Sequence, residues 1–160
     1  MKYRAVTVIG LLSLVALAPA PPATTSREAD HVITYSRNHV SFETVDIYID
    51  PQGHSLAAYQ FELKVAAGDV TTVGVEGGEH AAFREAPYYD PAAMARRRII
   101  VAAFNTGSDL PAGRTRVARV HVRVGGGERP RYQATLEAAA DADGKPIAGA
   151  TVTVEQGAGT

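Results

Sequence analysis

The chain has no cysteine. That excludes disulfides, lipid attachment through a thiol, Cys-ligated zinc and thiol nucleophiles. A domain of this size can hold itself together by packing alone. Tryptophan is absent too, so a sugar-stacking platform would have to be built from weaker aromatics. There is no charge excess: the formal net charge is -1 with 21% charged residues. No overall field draws the chain to nucleic acid or to an anionic membrane surface. There is no G-x-S-x-G, no phosphate-binding Gly loop and no H-E-x-x-H. His54, His80 and His121 lie far apart, so a metal site would have to be assembled wholly by the fold. No glycosidase carboxylate pair can be inferred from spacing alone. We therefore expect no enzyme, no cofactor and no metal.

What is present is a real core and a strand-like rhythm. At 160 residues, 46% of them hydrophobic, the chain is long enough for one domain. Lys2 and Arg4 precede an apolar run over residues 5–18 that exits through Ala18-Pro19-Ala20. A short basic start, an apolar centre and a small-residue exit predict a secretory signal over residues 1–20. The run is too short to span a bilayer comfortably. Pro21 is a poor neighbour for a scissile bond, which leaves an uncleaved anchor as the alternative. Residues 21–40, opening PPATTSREAD, lack periodicity at first and read as a tether with a weak first strand at 31–35. The domain itself is expected over 41–155, with a polar tail at 156–160.

Residues 49–65, IDPQGHSLAAYQFELKV, are the clearest segment. A strand stops at Asp50-Pro51-Gln52-Gly53. The next places Ala57, Tyr59, Phe61, Leu63 and Val65 on one face and Ala58, Gln60, Glu62 and Lys64 on the other. That period of two is what a half-buried strand requires. Further strands are expected over 42–49, 70–75, 98–104, 116–124, 132–138 and 147–154. The run IIVAAF within 98–104 predicts a strand covered on both faces or nearly so. In 116–124, Ala118, Val120, Val122 and Val124 should point inward, and Val117, Arg119, His121 and Arg123 outward. In 132–138, Tyr132, Ala134, Leu136 and Ala138 share a face. Turn chemistry separates the runs at Pro111-Ala112-Gly113, Gly125-Gly126-Gly127 and Asp143-Gly144. Only 91–97 has helical composition, enough for a turn or two. Many short strands without a long helix predict an all-β, antiparallel β-sandwich of about eight or nine strands.

The order of these features resembles the cohesin family, the jelly-roll β-sandwich modules of bacterial cell-surface and cellulosome-type scaffolds. Residues 45–50 and 56–63 are similar to that family's opening hairpin, in which a Gly turn leads into Ala-Tyr-Gln-Phe-x-Leu. Residues 70–78 resemble the next strand and its Gly exit, 99–104 the apolar I-x-(V/A)-A-F strand, and 113–124 a Gly turn before an alternating strand. Together these cover roughly 41–154. The resemblance implies jelly-roll topology and a protein- or glycan-binding module. In cohesins the partner is a dockerin, a calcium-loop helical domain gripped by one face of the sandwich.

Candidate binding residues come from two places. Arg119, His121 and Arg123 should form a basic row on one strand face, with Arg114 and Arg116 just before it. Such a row either grips an acidic partner or is a solvated face that blocks sheet pairing. Tyr88 and Tyr89 lie in the loop FREAPYYD, where one can stack on a sugar ring or plug the sandwich end. Arg96-Arg97-Arg98 reads as a solvated turn edge. Asp141-Ala142-Asp143-Gly144 resembles the middle of a calcium loop, but its frame would put Ala139 and Ala150 at essential ligand positions, so a hairpin turn is expected. The expected function is an exported binding module for a protein partner, dockerin-like or another envelope protein. The alternative is a carbohydrate-binding module for an envelope or environmental polysaccharide.

Overall fold

A computed structural model describes residues 39–157. The expected signal, residues 21–38 of the tether and the weak strand at 31–35 lie outside those residues, while Val40, at the tether's expected end, opens the first strand. The described part is all-β, as expected. Eight strands are present: β1 (Val40–Asp50), β2 (Ala58–Ala67), β3 (Asp69–Gly77), β4 (Tyr88–Tyr89), β5 (Arg98–Phe104), β6 (Thr115–Gly125), β7 (Arg131–Ala140) and β8 (Thr151–Gln156). They form two antiparallel sheets of four strands, ordered β3-β6-β1-β8 and β4-β5-β2-β7. Among the described residues no helix is long and apolar enough to cross a membrane.

Every connection crosses from one sheet to the other except that between β4 and β5. This corrects two expectations. The turn after β1 is an arch to the opposite sheet, not a hairpin. It is built as predicted from its residues: Gln52 and Gly53 both have positive φ, 55° and 87°, and His54 N–H closes on Pro51 O at 3.1 Å. The Asp143-Gly144 turn does fold back locally, with Asp141 N–H donating to Lys145 O at 3.0 Å. The chain then leaves for the other sheet, so strand β8 starts at Thr151 rather than residue 147. Gly77 and Gly78 end β3 where backbone passes at close range: a Cβ on Gly77 would overlap the Arg84 carbonyl, and one on Gly78 the Arg116 carbonyl.

The inner faces carry the predicted apolar sets. Val45, Ile47 and Ile49 from β1 meet Tyr59, Phe61 and Leu63 from β2, all buried. Burial of one such side chain contributes about 1.5–3 kcal/mol. Phe83, on a short 3-10 turn capped by the His80 side chain, packs edge-on to Tyr59 with ring centres 5.1 Å apart.

Bulges interrupt three strands, and in two of them, β6 and β7, they overturn the expected alternation. In β6 the β1 register passes from Ala118 to Arg116, leaving Val117 as the extra residue. Val117 is therefore fully buried, not outward as expected. In β7 the register skips Glu137, so Ala139 is buried and Ala138 exposed, the reverse of the expectation. In β3 the extra residue is Val73. A bulge leaves one residue without a ladder partner. At Val117 the orphaned carbonyl accepts the Tyr59 hydroxyl at 3.0 Å, a buried hydrogen bond from one sheet to the other.

Removing only that hydroxyl tests its weight. Tyr59→Phe leaves a buried carbonyl unpaired and should cost about 1–3 kcal/mol in urea unfolding. An unchanged midpoint would show that the bond between the sheets contributes nothing.

Candidate functional site

The two outer faces differ in chemistry. On the first sheet, Asp46 of β1 is buried beneath Arg119 of β6, which reaches both carboxylate oxygens at 2.7 and 2.8 Å. Arg116 adds a 3.5 Å contact to the same carboxylate. The bulge at Val117 is what brings Arg114 and Arg116 onto the face that holds Arg119, His121 and Arg123. Arg114 pairs with Glu155 of β8 and lies 3.8 Å above the Tyr48 ring. His121 Nε2 sits 2.8 Å from Glu76 Oε1, without the alignment of a hydrogen bond. The basic row is thus largely matched by acids on β1, β3 and β8. The Arg119 hydrogen bonds hold the Asp46 carboxyl below the usual range, against the opposing pull of burial.

On the second sheet the outer face is mixed: Glu62, Lys64, Gln133 and Thr135 make it polar over much of its length, and an apolar patch lies toward the end of β2 that holds Ala58. Residues 98–104 were expected to be covered on both faces, yet only Ile99 and Val101 are buried, while Ile100 and Phe104 are exposed. No third layer covers β5 among the described residues, so Ile100, Ala102 and Phe104 make up its outer side while Ala103 packs against the core. Register sets Tyr88 beside Ala102, Ala102 beside Gln60, and Gln60 beside Ala138. The next row is Phe104, Ala58 and Ala140. The alanines make a flat floor. Tyr88, 71% exposed, and Phe104, 67% exposed, rise from it. Their rings are nearly parallel, at 8°, with centres 6.3 Å apart. A groove of about 480 Å³ runs on one side of Tyr88, lined also by Asp90, Arg96, Arg98 and Ile100. A second of about 270 Å³ lies on the other side, against Phe104 and the alanines. Arg98 pairs with Glu62 at the polar margin.

The candidates separate accordingly. Tyr88 stands on the second sheet's outer face, and Tyr89, half-buried, packs against the core. Arg119, His121 and Arg123 lie on the other sheet, so the structure does not bring the two groups together. Arg97 ties the β2–β3 corner by donating to Gly68 O at 2.9 Å and Val65 O at 3.2 Å. Asp141 accepts from the Asp143 and Lys145 amides at 3.0 and 2.9 Å, which holds the turn. Among the described residues no group of three His, Asp or Glu could hold a metal ion. Phe104 and Ile100 escaped sequence reasoning because an uninterrupted apolar run carries no sign of which alternate residues face water.

A β-sandwich with one charge-paired outer face and an aromatic, alanine-floored patch on the other is the class these observations define. Comparison of the chain with protein-family models, curated proteins and solved structures finds no match.

The Asp46 cluster makes a pH prediction. A carboxyl with a lowered folded value contributes stability that is complete above its unfolded value of about 3.9 and is lost as pH falls through the folded one. Asp46→Asn should cost about 1–3 kcal/mol at neutral pH. Its urea midpoint should then fall less steeply than that of the unaltered chain below about pH 4; parallel slopes would remove Asp46 as a source of acid sensitivity.

Proposed function

We propose that this chain is an exported, non-catalytic binding module of cohesin-like, jelly-roll fold that engages a protein partner at the cell surface or outside the cell. The observation that carries this reading is the exposed Tyr88–Phe104 pair on its alanine floor. Apolar patches rimmed by polar groups mark interaction sites, and aromatic residues are enriched at interface centres. The face is presented by hydrogen-bonded strands, so little ordering cost opposes binding. The motif order over residues 41–154 supports the cohesin-like part of the reading, and the basic start and apolar run of residues 1–20 support export. A dockerin-like or other envelope protein is the expected partner class.

One observation favours a second reading. Two parallel exposed rings offer a flat surface for the CH face of a pyranose, as in a carbohydrate-binding module.

The full chain, immobilised and exposed to cell-envelope extract, should retain a protein that the double variant Tyr88→Ser, Phe104→Ser fails to retain. A hot-spot aromatic is worth about 2 kcal/mol or more on truncation, so loss should be at least about thirtyfold. Equal retention by both chains would sink the protein-binding reading. Retarded migration through a polysaccharide gel, abolished by the same variant, would instead favour the glycan.

A further inference from the structure

The groove of about 480 Å³ beside Tyr88 exists because β4 stops early. That strand pairs with β5 only at Tyr88–Ala102 and Tyr89–Val101. Proline cannot donate to a ladder, and at Pro91 the chain leaves the sheet in a 3-10 turn. It rejoins the sheet at Arg98. Tyr88, Ile100 and Ala102 line the groove from the strands, and Asp90, Ala93 and Arg96 line it from the loop. The loop is pinned along its length. Asp90 accepts from the Ala92 amide at 2.9 Å. Arg96 N–H donates to Ala93 O at 2.9 Å, and Thr72 N–H of β3 donates to Met94 O at 3.2 Å. Arg96 is therefore presented from a fixed backbone, which lowers the ordering cost of using it.

The three consecutive arginines have different surroundings. Arg97 is turned to the Gly68 and Val65 carbonyls. Arg98, also in the lining, meets Glu62 through Nε. Arg96 forms no ion pair and no side-chain hydrogen bond among the described residues. The acid in the lining, Asp90, serves the Ala92 amide and forms no ion pair with either arginine. Lys64, directly opposite Arg98 on β2, has no acid within ion-pair distance among the described residues. Three cations thus meet two acids, Glu62 and Asp90, along this margin of the patch. A free guanidinium beside an exposed tyrosine ring is complementary to a carboxylate carried next to a large apolar side chain. The fork takes the carboxylate, while Tyr88 and Ile100 offer apolar surface to its neighbour.

We propose that the partner segment held at the Tyr88–Phe104 surface carries Asp or Glu beside an aromatic or branched aliphatic residue, with Arg96 receiving the carboxylate. This rests on the reading of that surface as a protein-docking site and adds the chemistry of what docks there. Tyr88 supplies the contact area, and Arg96 selects the charge of the partner.

The test uses the full chain and a short capped peptide in which Asp alternates with Phe and Leu, followed by amide NMR shifts. A second peptide has Asn in place of Asp, which keeps the shape and removes the charge. The Asp peptide should bind about two- to fivefold more tightly, the range of an exposed ion pair, and added salt should narrow the difference. Arg96→Gln should abolish the preference and leave the Asn peptide's affinity unchanged. Tyr88→Ser should weaken both peptides about tenfold or more. Arg96 and Tyr88 are exposed, so circular dichroism should report an intact fold in each variant. Equal affinity for the two peptides, or a preference that survives Arg96→Gln, overturns this inference; if Tyr88→Ser is still damaging, the docking surface itself stands. Unchanged binding in Tyr88→Ser removes the surface and the inference together. Absence of Asp-peptide binding at millimolar concentration overturns the inference. Retardation by a polygalacturonate gel that requires Tyr88 and Arg96, without peptide binding, would assign the guanidinium to an acidic glycan and overturn it as well.

Discussion

The Tyr59 hydroxyl and the Val117 carbonyl meet in the interior, and the outer surface of the first sheet depends on that meeting. Strand β6 changes parity at Val117. Before it, even-numbered residues point outward; after it, odd-numbered ones do. The change is tolerable only because the carbonyl freed from the ladder finds a donor, and the donor comes from the opposite sheet. Without the bulge, Arg114 and Arg116 would face the opposite way from Arg119, His121 and Arg123. With it, Arg116 and Arg119 converge on one carboxylate.

Much of this was legible in the sequence. The alternation in Tyr59, Phe61 and Leu63 gives the inner face of β2 directly, and β-branched runs broken by Gly and Pro give the sandwich. Bulges were not legible. Each inserts a residue without any compositional mark, so Val117 and Ala138 were assigned to the wrong sides. Connectivity was also hidden, because a Gly turn closes an arch between sheets as well as a hairpin within one. Of the candidate binding residues, Tyr88 was visible as an aromatic in a loop. Its neighbour Phe104 was not, since an apolar run reads as buried unless the layer above it is known to be missing.

The two outer faces solve the same problem differently. An open sheet must avoid indiscriminate pairing. The first sheet does so with cross-strand ion pairs, where Asp46 and Glu155 stand opposite each other, Asp46 held by Arg116 and Arg119 of β6 and Glu155 by Arg114 just before it. The second carries Glu62 and Lys64 on its central strand β2 and, around Ala58, relies on alanine to keep its exposed apolar area shallow. Among the described residues, its exposed large apolar side chains are Ile100, Tyr88 and Phe104.

The crossing connections carry a consequence for how the domain forms. Because successive strands almost always belong to opposite sheets, nearly every ladder joins segments distant in the chain. Such topologies close costly loops before contacts reward them, and they fold in roughly milliseconds to seconds rather than microseconds. During that interval the alanine and aromatic segments stand unpaired, at the stage when aggregation competes with folding. The short β4, stopped by Asp90-Pro91, limits that hazard. Proline cannot donate to a ladder, so the strand that borders the aromatic face cannot lengthen along that edge.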